Sequence, residues 1–191
     1  MSLITSSINL LSNLITHNNN VYKVVINTPN ALHSLCTLTS YKLNIHFIQE
    51  NDQQTLALRR SSIRCLFYIQ DCGDASAQTE LVNARYARLQ VIAISTASGS
   101  GEEQNDEIYW GLFRISIFLN QLHKGINSFP PQPLLAHRSD EQIEEEGGNE
   151  EIDSQLINKA LSDDIKKYAN ETKGAILNYF IEQGNPRPSW Y

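Results

Sequence analysis

The sequence has few of the features that mark membrane, secreted or metal-binding proteins. No apolar run approaches the roughly 20 residues that a membrane-spanning helix needs, and no basic residue precedes the apolar N-terminal stretch, as one would in a secretory signal. The three cysteines, Cys36, Cys65 and Cys72, are odd in number and lack zinc or redox spacing. These absences predict an intracellular protein of the cytoplasm or nucleus, without a disulfide framework, a structural metal or a membrane partner.

Residues that would support catalysis are also scarce. A phosphate-binding loop needs glycines and a lysine directly after a strand. The turn at 27–30, which follows the first apolar run at 21–27, has neither, and Pro29 removes a backbone donor. The five histidines are scattered, with no Ser or Cys in a recognisable nucleophile turn. Asp71 and Asp74 are the one acidic pair suited to a metal, and turn or helix-cap roles explain them equally well. We therefore predict no catalytic residue, no cofactor and no metal.

Negative charge is concentrated in one segment of the chain. The 191 residues carry a formal charge of −6, and the segment 139–153 (SDEQIEEEGGNEEID) holds eight acidic residues and no basic one. Such a block repels itself and buries little apolar area, so it predicts a flexible linker. The predicted organisation is a domain at 1–138, this acidic linker at 139–153 and a C-terminal helical tail at 154–191.

Apolar patterning predicts an alternation of helices and strands. Short apolar or β-branched runs at 21–27 (VYKVVIN), 43–49 (LNIHFIQ), 64–70 (RCLFYIQ) and 90–95 (QVIAIS) are typical of strands. Helical spacing of apolar residues lies before, between and after these runs, and is strongest at 108–122. This order predicts an α/β fold of three layers, with a mostly parallel central sheet of about four to six strands and flanking helices.

Five arginines form the one candidate binding constellation. Arg59, Arg60 and Arg64 precede and begin the third predicted strand. Arg85 and Arg88 end the helix that leads into the fourth, and a right-handed connection would put both groups at one edge of the sheet. Guanidinium groups pair bidentately with carboxylate or phosphate. Three interpretations stay open: solvated and helix-end arginines, docking to an acidic protein or to the chain's own acidic segment, and DNA binding.

The C-terminal tail carries an apolar stripe of its own. A helix that follows a flexible linker has to bury such a stripe, either on its own domain or on another chain. The residues predicted to dock the tail are Ile157, Leu161, Ile165, Tyr168, Ile176, Phe180 and Trp190.

The stretch 21–122 resembles two families of inactive α/β subunits. In small-GTPase-like proteins without nucleotide motifs, the run at 21–27 would be the strand before the missing phosphate loop. In pseudonuclease partners of the XPF/ERCC1 type, IRCLFYIQD and LQVIAIST would fill the two central strands, without the acid-rich signature of the active branch. Both resemblances imply an enzyme-like fold that serves as an obligate partner.

These features predict a non-catalytic protein-interaction subunit, an adaptor or scaffold, of an intracellular eukaryotic multiprotein complex. The alternative is an inactive nuclease-like subunit, of the kind found in DNA repair, that binds DNA through the five arginines. A third hypothesis is a metal-dependent enzyme that uses Asp71 and Asp74.

Overall fold

The described residues of this chain form a series of helices. The computed structural model describes residues 3–18, 20–41, 49–97, 102–158 and 162–177. Within these ranges the only β pairing is an isolated bridge between Ile126 and Phe129, and none of the helices combines the length and apolar character that a bilayer crossing requires. The ten helices of the described ranges are α1 (Leu3–His17), α2 (Val21–Asn27), α3 (Ala31–Thr39), α4 (Gln49–Cys72), α5 (Ala75–Asn83), α6 (Tyr86–Thr96), α7 (Glu102–Lys124), α8 (Pro133–Glu145), α9 (Gly148–Ile157) and α10 (Asp163–Leu177).

The predicted three-layer α/β fold is wrong, because the described residues form helices and no sheet. The runs at 21–27, 64–70 and 90–95 lie in α2, α4 and α6, and most of the run at 43–49 lies outside the described residues. An apolar run of about four to eight residues fits a buried helix as well as a buried strand. The GTPase-like and α/β interpretations are therefore wrong as well, since the segments that carried both resemblances are helical.

The middle of α4 shows why an apolar run was misleading. Four of its residues are fully buried: Cys65, Leu66, Ile69 and Gln70. Positions i, i+1, i+4 and i+5 lie on one side of a helix. Because α1, α3 and α5 all pack against α4, a wide sector of its surface is covered. A helix buried over such a sector loses the polar positions that would reveal its period.

Two groups of helices meet along α4 and α7. The first group places α1 and α3 against α4, and the second places α6, α8 and α10 against α7. Side chains join the groups: the Gln70 amide donates a hydrogen bond to the side-chain oxygen of Gln121, and the rings of Phe67 and Phe113 lie 6.1 Å apart. The core therefore continues across this junction.

The predicted helix that Arg85 and Arg88 were expected to end is two helices. Asp74 begins α5, where its Oδ1 accepts a hydrogen bond from the Ala77 amide at 3.2 Å. The chain then turns at Arg85, which takes a left-handed conformation with φ of 60°. This turn lets α6 start in a new direction and pack between α7 and α8.

The segment predicted as an acidic linker lies in α8, the turn at Gly147 and most of α9. Ile143 and Ile152 are buried in the core, while Glu144 and Glu145 are exposed. In these helices the acidic residues and the apolar residues lie on different sides, which a count of charges along the sequence does not show.

The predicted tail contributes α10, which packs against α7. Ile165 and Ile176 are buried there and Tyr168 is partly buried, whereas Ile157, at the end of α9, is exposed. The remaining residues predicted to dock the tail lie outside the described residues: Leu161, Phe180 and Trp190. The part of the stripe that lies on α10 is therefore covered by its own chain.

Candidate functional site

A groove of about 660 Å³ opens beside the junction of α4 and α7. Residues of α1, α3, α4, α6 and α7 line it. Four arginines and two acidic residues give the lining a formal charge of +2, opposite in sign to the −6 of the whole chain. These charged residues are Arg59, Arg60, Arg64, Arg114, Asp106 and Glu107.

Aromatic rings form part of the groove wall. Trp110 of α7 is 45% exposed and meets Phe113 edge to face, with ring centroids 5.5 Å apart. Phe67 and Tyr68 of α4 line the groove with it. Behind them, Tyr168 of α10 contacts Phe113 at 5.4 Å. Such edge-to-face packing holds the rings in fixed orientations, so Trp110 is presented from a rigid surface.

The arginines of the groove differ in their partners. Arg60 Nε donates to Glu107 Oε1 at 2.8 Å, a salt bridge between α4 and α7. Arg64 Nη2 donates to the neutral Oδ1 of Asn9 at 2.6 Å. Arg114 lies over two rings, with its guanidinium carbon 5.9 Å from the centroids of both Phe67 and Trp110.

Arg114 is the least solvated of these groups. Burial lowers the pKa of Arg114, while the nearby Tyr86 and Glu107 act to raise it and the charge of Arg64 acts to lower it. Its Nε is buried and has no hydrogen-bond partner among the described residues. The groove thus contains a largely desolvated cation that lies over two aromatic rings and whose Nε lacks an acceptor in the described part of the chain.

The five arginines singled out in the sequence do not form one surface. Arg59, Arg60 and Arg64 share a face of α4 and line the groove. Arg85 lies 3.6 Å from Glu145, and Arg88 Nε donates to Glu146 at 2.5 Å. The structure therefore brings three of them together and places the other two against the chain's own acidic segment.

Asp71 and Asp74 flank the turn between α4 and α5. Asp71 is exposed in the last turn of α4. Asp74 caps α5, and its Oδ2 lies 4.0 Å from Lys23 Nζ. Within the part of the chain that the structure describes, no three His, Cys, Asp or Glu side chains are grouped so that they could hold a metal ion.

The sequence analysis missed the α7 side of the groove. Trp110 and Arg114 are four residues apart, off the stripe formed by Ile108, Leu112 and Ile115. An aromatic residue and an arginine at that spacing share one helical face, and this was the available signal. Phe67 was hidden because its run was interpreted as a strand covered on both faces.

A second apolar surface lies on the N-terminal helices. Leu10 and Leu14 of α1 are exposed. Val24 of α2 is exposed as well, and together with Leu11 and Leu38 it lines a depression of about 330 Å³ between α1, α2 and α3. Exposed apolar side chains that cluster in this way are typical of interaction surfaces.

Similarity to known proteins assigns no family to this chain. Comparison with protein-family models, with curated proteins and with solved structures finds no match. The groove and its lining residues are therefore the features from which a function can be inferred.

Proposed function

We propose that this chain is a non-catalytic protein-interaction subunit, an adaptor or scaffold, of an intracellular eukaryotic multiprotein complex. The observation that carries this proposal is the exposed Trp110 in a rigid groove wall, with four arginines lining the same groove. Trp, Tyr and Arg are the residues in which binding energy at protein interfaces is concentrated. A wall that is already ordered loses little conformational entropy when a partner binds.

Capture of partners by the full-length chain tests this proposal. The tagged wild-type protein and the Trp110→Ser variant are recovered from the native cells, and co-purifying proteins are quantified by mass spectrometry. We expect at least one partner to fall by about tenfold or more in the variant, because an interface tryptophan typically contributes about 2 kcal/mol.

The matched control is Leu134→Ser, which removes an exposed apolar side chain on α8 outside the groove. This control should recover the partner as the wild-type protein does. Circular dichroism and thermal unfolding of both variants establish that the fold is kept. Equal recovery of every partner by Trp110→Ser and wild type would refute the groove as the interaction site.

DNA binding is the alternative from the sequence. It needs a continuous row of cations, whereas Arg85 and Arg88 lie against acidic residues and Glu107 is paired with Arg60 inside the groove. These contacts favour a protein partner. Binding of duplex DNA at low salt that weakens steeply with added salt, and that is lost when Arg59, Arg60 and Arg64 are replaced by Gln, would favour DNA instead.

A further inference from the structure

Two arginines of the groove, Arg64 and Arg114, lie near each other, and the nearby carboxylate of Glu107 is paired with Arg60. Arg64 bonds to a neutral amide oxygen and Arg114 to aromatic faces. Among the described residues neither forms an ion pair, in contrast to Arg60, which Glu107 neutralises. Like charges held side by side repel each other, so an anion that reaches both would be bound favourably.

The setting of Arg114 strengthens this attraction. The rings of Phe67 and Trp110 fix its guanidinium, so little side-chain entropy is lost when it bonds to a ligand. Its Nε is buried without a partner in the described part of the chain, which leaves the Nη groups to meet a ligand in the groove that Arg114 lines. A carboxylate is planar and matches the guanidinium fork with two parallel hydrogen bonds.

We propose that Arg64 and Arg114 bind a side-chain carboxylate from an acidic, extended segment of the partner protein, with an apolar side chain of that segment against Trp110. This inference rests on the proposed function, because it names the ligand of the same groove. The +2 charge of the lining is complementary to an acidic segment. The contacts that disfavour DNA, the pairing of Arg60 with Glu107 and of Arg85 and Arg88 with the chain's own acidic residues, favour a protein ligand here as well.

Fluorescence anisotropy tests the ligand class directly. The probe is a fluorescein-labelled peptide, GDEDFEDLDEG, titrated with the full-length protein at low salt. Two further probes are the same peptide with every acidic residue replaced by lysine, and a labelled single-stranded oligothymidylate. We expect the acidic peptide to bind, the lysine peptide not to bind, and the oligothymidylate to bind more weakly than the acidic peptide.

Variants locate the binding on the two arginines. Arg64→Gln and Arg114→Met should each weaken binding of the acidic peptide by about tenfold, since a hydrogen-bonded charge pair is lost. The matched control is Arg138→Gln, because Arg138 is also exposed and also donates to an asparagine, Asn83, at 3.2 Å, but lies outside the groove. It should bind the peptide as the wild-type protein does. Arg64→Gln changes an exposed residue, so it tests the site even if Arg114→Met unfolds.

Three other results would refute the proposed acidic ligand. Tighter binding of the oligothymidylate would assign the groove to nucleic acid. Equal binding of the acidic and lysine peptides, or equal losses in Arg64→Gln and Arg138→Gln, would show that the arginine pair does not select the ligand. Absence of peptide binding, combined with a partner that still depends on Trp110, would refute the acidic ligand and leave the interaction function standing.

Discussion

Asp140 should make the stability of this protein depend on pH. It lies on α8, and both of its carboxyl oxygens are buried without a hydrogen-bond partner among the described residues. Burial raises the pKa of Asp140 from its usual 3.8 to about 7, although the nearby His137 acts to lower it. The perturbation that isolates this group is Asp140→Asn, which keeps the shape and removes the charge.

The sign of the effect follows from proton binding. Between pH 4 and pH 7 Asp140 holds a proton in the folded protein and has lost it in the unfolded chain, so the free energy of unfolding falls as the pH rises. The difference in pKa is about three units, and each unit corresponds to about 1.4 kcal/mol. Ionised Asp140 therefore destabilises the folded state by up to about 4 kcal/mol at pH 8, and by little at pH 4.

Urea unfolding followed by tryptophan fluorescence measures this dependence. Wild type and Asp140→Asn should differ by less than about 1 kcal/mol at pH 4, and the variant should be more stable by several kcal/mol at pH 8. Glu144→Gln is the control, because Glu144 is an exposed acidic residue on the same helix. A difference between wild type and Asp140→Asn that stays constant from pH 4 to pH 8 would refute the reasoning.

Three further substitutions test the packing of the helices. Gly111→Ala should destabilise the fold by about 1–3 kcal/mol, because the new Cβ would lie 2.5 Å from Ile94 Cγ1. The new Cβ of Gly174→Ala would meet no atom within 4 Å, so this variant should stabilise α10 by about 0.5–1 kcal/mol. If the unfolding temperatures of Gly111→Ala and Gly174→Ala shifted in the same direction, the close approach of α6 and α7 would be contradicted. Tyr86→Phe should leave the free energy of unfolding unchanged or raise it by about 1 kcal/mol, since the hydroxyl is buried and no partner for it is described. A clear loss in denaturant unfolding would reveal a bonded hydroxyl.

Sequence patterning predicted long helices and failed for the short apolar runs. The helical spacing at the N-terminus and at 108–122 corresponds to α1 and α7, where the apolar stripe repeats over several turns and makes the period visible. The runs at 64–70 and 90–95 carry few polar residues, and their neighbours cover a wide sector of each helix. Each run spans about two helical turns at most, so length and composition alone decide between helix and strand, and here they favoured the strand.

The arginine groups illustrate a second limit. Arg59, Arg60 and Arg64 lie together in the structure because they share a helical face, not because they meet at a sheet edge. Trp110 lies in the same groove because α7 packs beside α4. Arg85 lies elsewhere, near Glu145. Local sequence can group residues within one helix, but contacts between helices far apart in the chain decide which groups form a site.

The helix α10 braces the rear of the groove wall. Tyr168 contacts both Tyr109 and Phe113, and the Thr172 hydroxyl donates to the Leu112 carbonyl at 3.0 Å. The other side of this stretch of α7 carries Trp110 and faces the groove. A protein truncated before α10 would expose the rings of Tyr109 and Phe113 and allow them to reorient. Its affinity for a ligand would then differ from that of the full-length protein.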